Sequence, residues 1–341
     1  MYHRAVITEF GGPNVLKIIE EESLPEPGPS QVRIKVLAAG VAFTDTMIRK
    51  GKYPDVKEKP PFTPGYDMVG AVDKLGSDVT DLTVGQRVAD LTVIGSHSEY
   101  IILDADRLVA VPDDLDPEIA AALVLTYVTA YQMLHRFAEI QSGDKILVHG
   151  AAGGVGTALV QLGKLQELKI FGPDETSKVE LIQEQGGIPI DYQTQDFVEV
   201  IKKEAPGGVD AVLDPIGGSH FKRSFDCLAS GGHLIGYGFY NAIVGKGGII
   251  PLDFIRLSFW NLLPNQRSAE FYSIGPLRKK HPDWFRQDLT HLFQLASEGI
   301  IMPVVWKRFT LDQLAEAHRM MDNAASKGKV IITFDDQSAL G

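Results

Sequence analysis

Between residues 32 and 111 the chain is built of short β-rich pieces, such as Val-Arg-Ile-Lys-Val-Leu at 32–37 and further pieces at 68–72, 87–89 and 100–103, separated by Gly, Pro and Asp. Apolar runs of this length bounded by turn residues predict strands, and together they predict a compact, irregular β domain. At Asp116-Pro117 the pattern changes to a run rich in Ala and Leu over 119–134, opened by a helix-start signal, which places a domain boundary near residue 120. Beyond it, apolar strands at 145–148, 169–171, 209–213 and 233–235 alternate with amphipathic stretches at 157–165 and 177–184. Strands alternating with helical stretches predict βαβ units and a parallel sheet. The last stretch returns to mixed character, with a helix carrying Trp284, Leu289, Leu292 and Phe293, a second helix over 311–321 and a closing strand over 330–334. The chain carries no internal repeat.

A length of 341 residues agrees with two domains. Hydrophobic residues at 44% and charged residues at 23% are ordinary globular usage, which excludes collagenous and disordered classes. The excess of 44 acidic over 33 basic residues gives a net charge of −11, the wrong sign for non-specific binding to a phosphate backbone, so no nucleic-acid partner is expected. The single cysteine, Cys227, excludes an intramolecular disulfide framework and every multi-cysteine metal site, and fits a cytoplasmic protein. Any zinc site would have to use His and carboxylates. Glu9 interrupts the first apolar stretch before a signal-peptide core forms, and the longest apolar run, 119–125, is far short of the roughly 20 residues a membrane-spanning helix needs.

The most informative local pattern is Gly150-Ala-Ala-Gly153-Gly154-Val155-Gly156, which follows one predicted strand and opens a helix. Glycines at such a turn let the backbone approach a pyrophosphate, whose charge then meets free N–H groups and the positive end of the helix dipole. The spacing departs from a strict GxGxxG, so the placement carries more weight than the glycines themselves.

The loop resembles the signature of the medium-chain dehydrogenase/reductase superfamily. Gly40-Val-Ala-Phe-Thr-Asp45, Pro64-Gly-Tyr-Asp-Met-Val-Gly70, Thr126-Tyr-Val-Thr-Ala-Tyr131, Val209-Asp-Ala-Val-Leu-Asp214 with Gly217-Gly218, and Gly328-Lys-Val330 match it in order along almost the whole chain. The nearest branch resembles the zinc-independent quinone oxidoreductases, in particular the vesicle amine transport protein homologue group. The resemblance implies a GroES-like, mainly β catalytic domain over 1–120 and 276–341 and a Rossmann domain, a doubly wound parallel α/β sheet, over 121–275. It also implies an active site in the interdomain cleft and a homodimer formed edge to edge through the Rossmann sheet, with residues 270–274 as a candidate edge strand.

In the zinc alcohol dehydrogenases of this superfamily, ligands come from positions held here by Ala42, Tyr66 and Leu125. Alanine and leucine cannot ligate, so no zinc is expected. Without a Lewis acid, hydride acceptors that are already electrophilic become the expected substrates, namely a quinone or an activated alkene such as an enone or enal. Phe43, Tyr53, Tyr66 and Tyr127 are the candidate pocket residues. Tyr53 is the candidate proton donor, with Tyr66 and Tyr127 as rivals, because a phenol is neutral at pH 7 and donates without first capturing a proton.

The resemblance further implies cofactor contacts from Thr129, Gly150, Gly153, Gly154, Val155 and Gly156, from the backbone around Ile216, Gly217 and Gly238, and from Lys329. Lys178 and Tyr192 match positions that bind the 2′-phosphate of NADPH, whereas Asp174 and Glu175 at the end of the second strand argue for NADH. NADPH is the favoured cofactor. Two other classes stay open: a zinc alcohol dehydrogenase, and a non-catalytic NADPH-binding regulator. His97, His149 and His318 read as ordinary strand-end or helix-face residues.

Overall fold

A computed structural model describes residues 1–264 and 266–334. The chain forms two compact units, Met1–Val128 together with the described residues from His281 on, and Thr129–Lys280.

The second unit is a six-stranded, fully parallel sheet. Its strands are β1 (Lys145–Val148), β2 (Lys169–Asp174), β3 (Ile188–Asp191), β4 (Val209–Asp214), β5 (Leu228–Gly236) and β6 (Ser268–Phe271), in the spatial order β3-β2-β1-β4-β5-β6. Leu147, Phe171, Val212 and Leu234, from four of these strands, are fully buried with Phe221 in one apolar cluster, and Trp260 joins it. That burial explains why the strands read as continuous apolar runs rather than alternating ones. The helix expected over 157–165 begins three residues earlier and spans Gly154–Leu165, because Gly153 is extended and already serves as its N-cap. β6 stands at the edge of the sheet and begins two residues before the stretch expected there. The helix Ile250–Trp260 packs against β6 and exposes Leu252, Ile255 and Phe259.

The first unit holds a seven-stranded sheet centred on the long strand Gln31–Val41, in which Val32, Ile34 and Val36 are buried while Arg33 and Lys35 are not. One face is therefore core and the other wet. The closing strand Lys329–Thr333 pairs antiparallel with Gln31–Val41 and parallel with Val305–Thr310, so the C-terminal segment completes the N-terminal sheet. Asp116 accepts hydrogen bonds from the Glu118 and Ile119 N–H groups at 2.8 and 3.2 Å, and the helix Pro117–Ala122 starts where the Asp-Pro pair predicts. The Ala- and Leu-rich run continues as helix through widened turns at Leu123–Tyr127 and Met133–Phe137. Among the described residues no helix is long and apolar enough to cross a membrane.

Candidate active site

In the order β3-β2-β1-β4-β5-β6 the direction of winding reverses between β1 and β4, and ligands of such sheets bind outside the carboxyl ends of the strands at that point. The glycine-rich loop lies there. Gly150 has φ +66°, which favours glycine, and a Cβ on Gly156 would sit 2.1 Å from the Gly150 carbonyl oxygen. Only glycine lets the helix pack so closely onto the loop. Gly153 contributes no capping side chain, so no side chain competes for the first N–H groups of Gly154–Leu165, the donors an anion needs.

Neighbouring strand ends complete the cradle. The Asp214 carboxylate, at the end of β4, accepts from the Ile216 and Gly217 N–H groups at 2.7 and 3.3 Å and shapes the following turn. Gly238, just past β5, has no room for a side chain, since a Cβ would meet the Pro215 carbonyl oxygen at 2.6 Å. The Thr129 hydroxyl is buried without a hydrogen-bond partner, an orphaned polar atom of the kind a bound group satisfies. These residues fit a dinucleotide.

Past the end of β2, Lys178 is buried, with its ammonium 3.3 Å from Glu175 and 3.5 Å from Asp174. It is therefore neither a solvated surface lysine nor a cation held in reserve. Asp174 also accepts from the Ala152 N–H at 3.1 Å, which ties the end of β2 to the glycine-rich loop. Tyr192 is 55% exposed, and its N–H donates to the Asp174 carbonyl.

In the first unit the hydroxyls of Tyr53 and Tyr66 are 2.7 Å apart, and their rings meet edge to face at 5.7 Å. Tyr66 is 1% exposed, and burial pushes its phenol well above the usual range. Tyr127 is equally buried, and its phenol is raised for the same reason. Phe43 opens the helix Phe43–Arg49 and is half-buried. Two acids, Asp45 and Asp67, lie within the motifs that carry these aromatics, and their roles show only in the fold. Asp45 is fully buried, accepts from the Ala42 N–H at 2.8 Å through one oxygen and leaves the other without a partner; burial lifts its carboxyl to about 7. Asp67 forms a buried ion pair with Lys329 at 2.6 Å, and a Cβ on Gly40 would strike both side chains. Lys329 is thus committed to a carboxylate within its own unit.

The positions of a superfamily zinc site do not fit the metal. Ala42 and Leu125 carry no ligating atom, and the Tyr66 hydroxyl is engaged by Tyr53. His97, His149 and His318 are all buried; His97 shares a hydrogen bond of 3.0 Å with the Gly40 carbonyl, and His318 one of 3.0 Å with Arg49.

Residues 28–113 match the family pattern described as alcohol dehydrogenase GroES-like domain, and 187–332 match the one described as zinc-binding dehydrogenase. The chain is 34% identical to the synaptic vesicle membrane protein VAT-1 homolog of Danio rerio, over 98% of this chain and 70% of that protein. It is 32% identical to the 2-haloacrylate reductase of a Burkholderia species, over 97% and 99%. The crystal structure of Escherichia coli quinone oxidoreductase complexed with NADPH superposes with a TM-score of 0.87 at 27% identity, covering 97% of this chain and 100% of that one.

Proposed function

The chain belongs to the medium-chain dehydrogenase/reductase superfamily, on its zinc-independent quinone oxidoreductase branch, and from that premise we propose that it passes hydride from NADPH to a quinone or an activated alkene. The observation that carries the reading is the phenol pair Tyr53–Tyr66, which occupies one of the superfamily's ligand positions with a hydrogen-bond donor.

When bound, NADPH supplies a hydride at its nicotinamide ring. The loop Gly150–Gly156 would hold its pyrophosphate, with Thr129, Ile216, Gly217 and Gly238 closing around the remainder and Lys178 with Tyr192 toward the 2′-phosphate. Lys329 is better assigned to holding Asp67. An alkene or quinone that accepts hydride at carbon develops negative charge on oxygen. The Tyr53 hydroxyl is the proposed donor to that oxygen, and no metal is needed to hold the charge. The raised Tyr66 phenol stays protonated and can donate to the Tyr53 oxygen as its own proton leaves, which steadies the phenolate at the moment it forms. Phe43 and Tyr127 would wall the substrate.

A homodimer is part of the proposal: β6 at the sheet edge, beside the apolar residues Leu252, Ile255 and Phe259, supports edge-to-edge pairing of two copies. Turnover of quinones, enones and simple aldehydes with NADPH and with NADH tests the reading. Consumption of NADPH with quinones or enones is expected. Reduction of simple aldehydes alone would move the chain to the alcohol dehydrogenase class, and cofactor binding without any turnover would make it a regulator.

A further inference from the structure

Parallel pairing of β1 with β4 brings two chemistry-bearing strand ends together. His149 follows directly on β1, Asp214 ends β4, and the helix Ser219–Asp226 presents His220 and Ser224 one turn apart. Four donor atoms converge. Asp214 Oδ2 lies 2.8 Å from His220 Nδ1 and 2.6 Å from Ser224 Oγ, and Ser224 Oγ lies 3.1 Å from His149 Nε2 and 3.5 Å from His220 Nδ1. Each of His149, Asp214 and His220 offers an atom within 4.8 Å of the others, and among the described residues this is the group of His and acidic side chains so arranged.

We propose that His149, Asp214, His220 and Ser224 form a binding site for zinc or a zinc-like divalent ion. Bonds of roughly 2.0–2.2 Å in a tetrahedral zinc site set neighbouring donors about 3.3–3.6 Å apart, so the hydrogen-bonded pairs need to open by at most about an ångström, while the remaining pairs already lie within 4.8 Å. Two imidazole nitrogens with a carboxylate and a hydroxyl oxygen make a donor set that suits zinc better than magnesium or calcium. The second oxygen of Asp214 is already anchored by the Ile216 and Gly217 N–H groups, the kind of outer hydrogen bonding that orients a ligating carboxylate. Ligation requires His220 to carry its proton on Nε2 rather than Nδ1, and its side chain, 17% exposed, is the one of the three metal-ligating side chains that solvent reaches. Asp214 and His149 are buried.

The site uses none of the positions Ala42, Tyr66 and Leu125, so the expectation of a zinc-free chain narrows to those positions. It does not depend on the hydride-transfer reading. A bound ion would tie β1, β4 and the helix Ser219–Asp226 to one another beside the turns at Gly150 and Ile216, and would stabilise the unit.

The test uses the full chain without a histidine tag, stripped with a chelator and titrated with zinc and with cobalt. The parent should bind one ion per chain, raise its melting temperature on binding zinc, and give the intense visible bands of tetrahedral cobalt. His220→Gln should weaken zinc binding by more than the roughly 10–100-fold that loss of an outer hydrogen-bond partner costs. His3→Gln, on an exposed histidine, should change nothing. His220→Cys should keep cobalt and add a thiolate-to-metal band, a gain that a misfolded variant cannot produce. No stoichiometric binding by the parent, undiminished binding by His220→Gln, or a cobalt complex of His220→Cys without the thiolate band would each overturn the proposal.

Discussion

Replacing Tyr53 by Phe removes one hydroxyl and nothing else, which makes it the sharpest probe of the phenol pair. Loss of a single preorganised donor to a developing oxyanion costs about 10²–10³ in kcat, or roughly 3–4 kcal/mol of transition-state stabilisation. The same change strips Tyr66 of its partner at 2.7 Å, and because Tyr66 is 1% exposed its hydroxyl is left in a dry site, at a cost of about 1–3 kcal/mol of folding stability. Tyr66→Phe acts in the opposite proportion. It leaves the donor in place and removes the hydrogen bond that steadies its phenolate, so kcat falls by about tenfold, the worth of one ordinary hydrogen bond. The assay is steady-state oxidation of NADPH with an enone, combined with titration of cofactor binding, which neither variant touches. A Tyr53→Phe enzyme with near-parent kcat, or two variants with equal losses, would refute the assignment and return Tyr53 to the pocket wall.

Lys178→Ala should weaken NADPH by about 1.5–3 kcal/mol and leave NADH nearly unchanged, whereas Glu175→Gln, which releases the ammonium from the partner at 3.3 Å, should tighten NADPH; equilibrium titrations of both cofactors decide, and equal effects on the two would remove Lys178 from the 2′-phosphate. Asp45 has its carboxyl raised by burial from 3.8 to about 7, so the folded chain holds a proton that the unfolded chain gives up. Its contribution to stability is therefore present below about pH 4 and lost as the pH rises through 7. Denaturant unfolding should find the parent losing about 4 kcal/mol relative to Asp45→Asn across that window, and a constant difference would contradict it. His97, lowered by burial to about 4, works in the other direction: its contribution is intact above pH 6.5 and is lost as the pH falls toward 4, so His97→Asn should flatten the acid limb of the stability profile.

What could be read from the chain follows the range of the forces involved. The parallel sheet, the glycine-rich turn and the helix start at Asp116 are local, because strand burial, loop sterics and capping act over a few residues. Pairings made by the tertiary fold were hidden: Asp67 meets Lys329 from the far end of the chain, and His149, Asp214 and His220 meet only once β1 and β4 lie side by side. Lys178 is a middle case. Asp174 and Glu175 stand only four and three residues before it, where the chain turns out of β2 and brings all three side chains together, yet they read first as rivals for the ribose.

The most direct test of the central claim follows the hydride. With NADPH deuterated at the transferring position of the nicotinamide and an enone as acceptor, mass spectrometry should find the label on the β-carbon of a saturated ketone. Label on the carbinol carbon of an allylic alcohol would mean that the carbonyl itself is reduced, and would contradict the account.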